Sequence, residues 1–311
     1  MEHDQLIGVD IGGTAIKLGR FRCDGSLLQA LEIPTPQPAM PGGVTMAIAE
    51  AVEALDPDRL ATRVGLGHPG PSDRWGRIAR VAINLPGWLD VPLADWLEPK
   101  LDRRVTTAND ANCALVGEHW LGAAQQASDV LLLTLGTGVG GGVLLAGELF
   151  TGRNGAAPEP GLIGIDPDGP PCQSGNRGSL EQYCSIAGLG RLSPLDPAVL
   201  CEQADAGEAG ALEIWRRYGR LLGIGLSSLI YQFTPELVLV GGGLSAASHH
   251  FLPAAWEEIT QRVSPVSREG LALERCQLGN GAGRLGAAKL ALERFPLDRF
   301  PLDRELQDDL G

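Results

Sequence analysis

The chain has 311 residues, of which 44% are hydrophobic and 20% charged, and a formal net charge of −13. That length is enough for two ordinary domains with well-buried cores. The acidic balance argues against a nucleic-acid or anionic-membrane surface, since both need a basic footprint, but not against phosphate ligands, which backbone amides and Mg²⁺ hold.

The start, MEHDQLIGVDIGG, has no basic leader region and no long apolar run, so no signal peptide, transit peptide or membrane span is expected, and a cytoplasmic location is. LIGVDIGG reads as a short buried strand, Leu6 to Ile11, running into a glycine turn, and AIKLGRF alternates back as a second strand. VTMAIAEAVEAL predicts a helix from Val44 to Leu55, and RVGLGHPG a strand entering a turn. In that turn His68 reads as an exposed loop histidine. NDANCALVGEHWLGAA starts with Asn and Asp at a helix N-terminus and continues with helix-compatible residues. The strand–glycine–strand pattern returns between Asp129 and Phe150, which suggests two related halves. The longest helical pattern runs from about Gly207 to Phe233, with Leu212, Trp215, Leu222, Leu226, Leu229 and Phe233 on one core-facing stripe. ELVLVGGGLS is a further buried strand ending in glycines, RLGAAKLALERF a closing helix, and the repeat FPLDRFPLDR a solvated tail over 296–311. The six cysteines, Cys23, Cys113, Cys172, Cys184, Cys201 and Cys276, include no CxxC pair, so they read as reduced thiols.

The glycine loops carry the first chemical signal. Gly136-x-Gly138-x-x-Gly141 matches a dinucleotide fingerprint, but Val143, Leu144 and Leu145 follow as a strand where that motif requires a helix. A glycine turn between two strands still binds phosphate through successive backbone N–H groups. DIGGTAIK adds Asp10 to hold Mg²⁺ directly or through water, Thr14 to donate a hydroxyl, and Lys17 to supply positive charge.

These motifs together resemble the ROK family of bacterial sugar kinases and repressors, within the sugar kinase/Hsp70/actin superfamily. DIGGTAIK resembles the first phosphate motif, TLGTGVGGG the second, LVGGGLS the adenosine motif and NDANCALVGE the catalytic segment. GLGHPGPSD, INLPGWLDVPL and GRLGAAKLA sit in the family's order and spacing, and the likeness runs to about Phe295. The resemblance implies an α/β fold of two ribonuclease-H-like domains with a central cleft where ATP and sugar meet. Residues 1–112 would form the smaller domain, completed by helix 283–295, and 113–282 the larger. It implies an ATP- and Mg²⁺-dependent hexose kinase, most simply acting on the 6-hydroxyl of glucose, assembled as a dimer or tetramer.

By the same resemblance Asp110 is the general base, in a helix N-terminal position whose dipole favours the charged carboxylate. Asn109, Glu159 and Glu181 would grip sugar hydroxyls, Gly70 would approach the sugar by its backbone, and Asn84 would assist. Asp10, Gly12, Gly13, Thr14, Lys17, Gly136, Thr137 and Gly138 would surround the phosphates, and Gly241, Gly242 and Gly243 the adenosine. Many family members carry a zinc clamp of one His and three Cys between the two glutamates. Here those positions are Leu162, Cys172, Ser174 and Ser179. Zinc needs about four good ligands, so no structural zinc is expected, and prolines are expected to help hold the loop. A ROK repressor would need a DNA-binding domain ahead of the first motif, and only five residues precede the strand at Leu6 that leads into it. Two alternatives stay open: a kinase for another sugar, such as mannose, fructose, allose or an N-acyl hexosamine, and a sugar-sensing protein that has lost catalysis, against which intact Asp10, Lys17 and Asp110 argue.

Overall fold

The computed structural model describes residues 4–82 and 85–296. In chain order the elements are β1 (Gln5–Ile11), β2 (Ala15–Arg22), β3 (Leu27–Pro34), α1 (Pro41–Leu55), β4 (Ala61–His68), β5 (Ala79–Val81), β6 (Leu89–Val91), α2 (Leu93–Leu101), β7 (Arg104–Asn109), α3 (Asp110–Leu121), β8 (Val130–Leu135), β9 (Val139–Leu145) and β10 (Glu148–Leu149). They continue as α4 (Leu180–Cys184), α5 (Ile186–Gly190), α6 (Pro197–Asp205), α7 (Ala209–Phe233), β11 (Leu237–Gly241), α8 (Ser248–Arg262), β12 (Ala272–Arg275) and α9 (Ala282–Arg294). Asn84 and the tail beyond Pro296 lie outside the described residues.

Among the described residues two five-stranded sheets form, ordered β3-β2-β1-β4-β7 and β10-β9-β8-β11-β12. Their plans coincide. In each, an antiparallel glycine hairpin continues into a third antiparallel strand on one side and two parallel strands on the other. The internal likeness seen in the two glycine hairpins therefore extends to whole sheets. The central strands are covered on both faces, which is why β1 and β8 read as near-continuous apolar runs.

The closing helix α9 packs on the first sheet, against β1 and β4, and against α3. The division at 112/113 falls inside α3, one unbroken helix. Glycine makes the α9 docking possible. A Cβ on Gly65 of β4 would sit 1.8 Å from the carbonyl oxygen of Ala287, and one on Gly8 of β1 would sit 1.7 Å from that of Arg284. Backbone cannot retreat as a flexible side chain can. Gly65→Ala is therefore expected to lift α9 off the sheet and destabilise the protein by at least about 1–3 kcal/mol, the usual range for overpacking. A chemical-denaturation midpoint equal to wild type would contradict this close packing.

Leu222 and Leu226 of α7 share one core cluster with Leu131, Leu133 and Val238 of the second sheet, and α7 packs on α8. Trp215, Leu222, Leu226 and Leu229 of α7 are buried as the periodicity predicts. Leu212 departs from that expectation: it is 39% exposed, because it lies in the first turn of α7, where the core has not yet closed over the helix. Trp215, Tyr218 and Phe251 pack ring against ring at 5.1–5.8 Å, and the Tyr218 hydroxyl donates to the carbonyl of Cys184 at 2.7 Å. Such aromatic pairs add to simple burial in fixing α8 on α7.

Candidate active site

The site lies where the two sheets' hairpins and the start of α3 converge. The turn between β1 and β2 presents Gly12, Gly13 and Thr14, with Gly13 and Thr14 exposed. Their carbonyls are already engaged. Thr35 Oγ1 donates to Gly12 O at 2.7 Å, Gln37 Nε2 to Gly13 O at 3.0 Å, and the Thr35 N–H to Thr14 O at 3.0 Å. In the β8–β9 turn the Gly136 N–H donates to Gly138 O at 3.0 Å, and Ile186 N–H to Gly136 O at 2.8 Å. Both turns join strand to strand, as the rejected dinucleotide motif would not.

A cavity of about 420 Å³ brings together Asp10, Lys17, Asp110 and Gly241–Gly243. Asp10 and Lys17 are paired across the β1–β2 ladder. Gly283, at the start of α9, closes on Asp10 so tightly that a Cβ there would lie 3.1 Å from Oδ2. Loss of water lifts the Asp10 carboxyl above its ordinary range, against the pull of Lys17 and then Arg284. Gly12, Gly13 and Thr14 of the first turn and Gly136, Thr137 and Gly138 of the second do not line this cavity. Arg275, Asn280 and Ser245 do, and motif reading had not singled them out. Ser245 closes the LVGGGLS motif, whereas the sequence signal nearest Arg275 and Asn280 is the GRLG that opens α9.

Asp110 opens α3, and its neighbour takes the capping role. Asn109 Oδ1 accepts from the N–H groups of Ala111 at 2.9 Å and Asn112 at 3.1 Å. Asn109 Nδ2 donates to Gly70 O at 3.2 Å and to Asp110 Oδ1 at 3.1 Å. The Asn109 amide is thus spent on the protein itself and fixes both Asp110 and the Gly70 turn. Ala111 N–H also donates to Asp110 Oδ1, at 2.8 Å; Oδ2 accepts none of these bonds. Burial first, then the charge of Asp10, pushes the Asp110 carboxyl up to about 6. Glu159 feels the same crowding. Its residue surface is still open to solvent, yet loss of water around the carboxyl and the charges of Asp110 and Glu181 lift it to about 7. The four carboxylates Asp10, Asp110, Glu159 and Glu181 therefore form one line of electrostatic neighbours.

His68 corrects an expectation. It is not an exposed loop residue but the last residue of β4, with 0% exposure. Its Nε2 is 3.1 Å from Ser72 Oγ and its Nδ1 3.1 Å from Pro69 O. Burial holds its pKa down to about 4, so it is neutral at physiological pH. It braces the turn that carries Gly70, itself held at φ +84° with a would-be Cβ 1.9 Å from Val81 O.

The stretch between Glu159 and Tyr183 is folded on itself. Gly161 allows its first turn to lie on β9, where a Cβ would meet Val139 O at 1.9 Å. At its far end Glu181 Oε2 accepts the Val139 N–H at 3.0 Å, which the bare Gly138 leaves room for. Between these anchors the N–H groups of Ile165 and Asp166 donate to Gly178 O, at 2.9 and 3.2 Å, Gly178 N–H to Pro170 O at 2.8 Å, and Cys172 N–H to Asn176 O at 2.8 Å. Tyr183 donates its hydroxyl to Asp166 Oδ2 at 2.6 Å. Prolines are thus joined by a hydrogen-bond net that motif reading had not foreseen. The positions of the family's zinc clamp do not suit zinc: Leu162 has no donor, Ser174 Oγ donates to Cys172 Sγ at 3.3 Å, and Ser179 is fully buried.

Comparison with known proteins agrees with this architecture. The ROK family model matches residues 6–294. The chain is 34% identical over 281 residues to a glucokinase of Thermotoga maritima, covering 84% of this chain and 89% of that one. It is 33% identical over 302 residues to an N-acetyl-D-glucosamine kinase of Shigella flexneri serotype 5b, covering 90% and 96%. Its fold superposes on a ROK family glucokinase from Streptomyces griseus, solved with glucose and AMPPNP, with a TM-score of 0.80 at 33% identity over 93% of this chain and 99% of that one. The fold and site define an α/β protein of the sugar kinase/Hsp70/actin type. The chain belongs to the ROK family.

Proposed function

We propose that the protein transfers the γ-phosphoryl group of ATP to the 6-hydroxyl of a hexose, glucose first among them, with Asp110 as the general base. The observation that carries this reading is the cavity in which Asp110 meets Asp10, Lys17 and the glycine strand end Gly241–Gly243. A carboxylate lifted to about 6 is a better proton acceptor than an ordinary aspartate and is still ionised at neutral pH. Asp110 Oδ2 takes the proton of the attacking hydroxyl while Oδ1 stays tied to Ala111 and Asn109.

The nucleotide side belongs to the same reading. Gly241–Gly243 let adenosine approach the backbone closely. In the two glycine turns the Gly12 and Gly136 N–H groups are spent on Ala15 O and Gly138 O, so the phosphates would be met by the N–H groups of Gly13, Thr14, Thr137 and Gly138. Lys17 supplies positive charge. The crowded carboxylate of Asp10, a hard oxygen donor beside a phosphate cavity, fits Mg²⁺, which would neutralise charge on the β- and γ-phosphates. On the sugar side Glu159 and Glu181 accept hydroxyl protons, each carboxylate offering several acceptor sites. Gly70 faces the sugar by its backbone, and Asn109 holds base and turn in register. Asn84 remains assigned to the sugar side by motif alone. A dimer or tetramer in the cytoplasm belongs to the same reading.

A coupled ADP-release assay over glucose, mannose, fructose, allose and N-acetylglucosamine, with ATP and polyphosphate compared as donors, tests the proposal. Glucose with ATP should give the highest kcat/KM. Preference for N-acetylglucosamine would move the substrate but not the chemistry. No turnover on any hexose would leave a sugar sensor as the better reading.

The loop needs no zinc in this scheme. Cys172→Ser should leave both turnover and the metal content of dialysed protein at the wild-type level. Loss of an equivalent of zinc in that variant, by elemental analysis, would show that the loop holds a metal through Cys172 together with ligands outside the other three family positions.

A further inference from the structure

The cysteine of α6 and the two histidines that open α8 take no part in the scheme above. We propose that Cys201, Asp205, His249 and His250 form a second site, one that takes a zinc-class divalent transition-metal ion and ties α6 to the start of α8. Their donor atoms all lie within 4.8 Å of one another. His249 Nε2 and His250 Nε2 both point at a single oxygen, Asp205 Oδ1, at 2.9 and 2.8 Å. Cys201 Sγ lies 3.8 Å from the other oxygen of that carboxylate. Tetrahedral donors at ordinary zinc bond lengths sit roughly 3.3–3.8 Å from one another, so small rotations of the four side chains suffice.

The local structure explains the convergence. Cys201 and Asp205 are four residues apart on α6 and project from the same face. His249 and His250 stand in the first turn of α8, their rings 4.0 Å apart between centroids. The donor set selects the ion. One thiol, two imidazoles and one carboxylate make a soft-to-borderline tetrahedral set suited to Zn²⁺ or Co²⁺; Mg²⁺ and Ca²⁺ require a shell of oxygens that a lone carboxylate cannot supply. Asp205 and His249 keep more than half of their side chains exposed, so an ion has an entry path. The cluster is distinct from the failed clamp of the Glu159–Tyr183 loop and shares no residue with it. It also narrows the expectation of a zinc-free protein to that loop. Its location gives it a structural role: α8 begins two residues after Ala246, which with Ser245 lines the proposed nucleotide cavity.

Full-length protein, stripped with chelator and exchanged into metal-free buffer, is titrated with Zn²⁺ by calorimetry and with Co²⁺ by absorption. One equivalent of Zn²⁺ should bind, and Co²⁺ should give the intense bands of a tetrahedral site with a thiolate ligand. Cys201→Ser should remove the thiolate band. The His249→Ala, His250→Ala double variant should weaken binding at least about 10-fold, the scale on which even outer-sphere partners act. Cys172→Ser should change neither. Circular dichroism establishes that each variant is folded before titration. Absence of a stoichiometric site, binding unchanged in the double-histidine variant, or a thiolate band that follows Cys172 instead of Cys201 would each overturn the proposal.

Discussion

Asp110→Asn should abolish turnover and at the same time make the protein more stable. The amide keeps the shape of the carboxylate, and its oxygen still accepts the Ala111 N–H that Asp110 Oδ1 accepts at 2.8 Å. It cannot take a proton from a sugar hydroxyl, so kcat should fall by about 10²–10⁴-fold, the usual worth of a general base. Sugar affinity should stay within a few-fold of wild type, because Glu159 and Glu181 are untouched. The stability gain follows from linkage. The folded protein holds the Asp110 proton up to about pH 6, whereas an unfolded aspartate releases it near the ordinary value of 3.8. Asp110 therefore favours folding fully only below the unfolded value, and that advantage is lost as pH rises through about 6. At pH 8 the buried charge costs on the order of 1–3 kcal/mol relative to a neutral isostere. The substitution should raise Tm at pH 8 and much less at pH 4.5. Turnover within a few-fold of wild type would remove Asp110 from its role, and an unchanged Tm difference between the two pH values would remove the electrostatic account. In the wild type, kcat/KM should fall as pH drops through about 6, because the base is then protonated.

Asp10→Asn should produce the second large loss, by another route. Asp10 lines the same cavity as Lys17 and Asp110, and Gly283 leaves its carboxylate little room to move. On the proposed assignment, removing its charge removes the oxygen donor that would hold Mg²⁺ beside the phosphates. An interaction made chiefly in phosphoryl transfer should then show in kcat, by about 10²-fold or more, with little change in the KM for glucose. Asp10 is also, after burial, the largest influence raising the Asp110 carboxyl. In metal-free protein the variant should therefore return the Asp110 titration towards ordinary values, visible as a weaker dependence of stability on pH between about 4 and 6. Full activity of Asp10→Asn, or full activity of wild type in excess chelator, would contradict the assignment.

Much of this was written in short-range pattern. The hairpins, the helix after Asn109, the long helix before Phe233 and the closing helix each declare themselves by alternation, periodicity or a cap, because those signals depend on neighbours a few residues apart. The motif set declared the family because glycine turns and the carboxylates around them have to recur together. β5, β6, β12, α4 and α5 escaped because they carry too few residues for a period to show, and β3, α2, β7, α6 and α8 escaped although they are longer.

What the sequence by itself determined is which groups are present: the acids Asp10, Asp110, Glu159 and Glu181, the glycines that bare the backbone, and a loop that keeps only Cys172 of the four family zinc positions. What only the tertiary structure decided is how those groups behave. Asn109 turned out to be the helix cap and the strut for Gly70, and His68 a buried brace, because their partners lie on other strands and turns. The raised carboxyls of Asp110 and Glu159 depend on water lost to packing and on charges more than twenty residues away in the chain. Cys201, Asp205, His249 and His250 became a cluster only when α6 and α8 were brought side by side. Burial and long-range juxtaposition leave no local pattern, because they belong to the path of the whole chain rather than to the residues on either side.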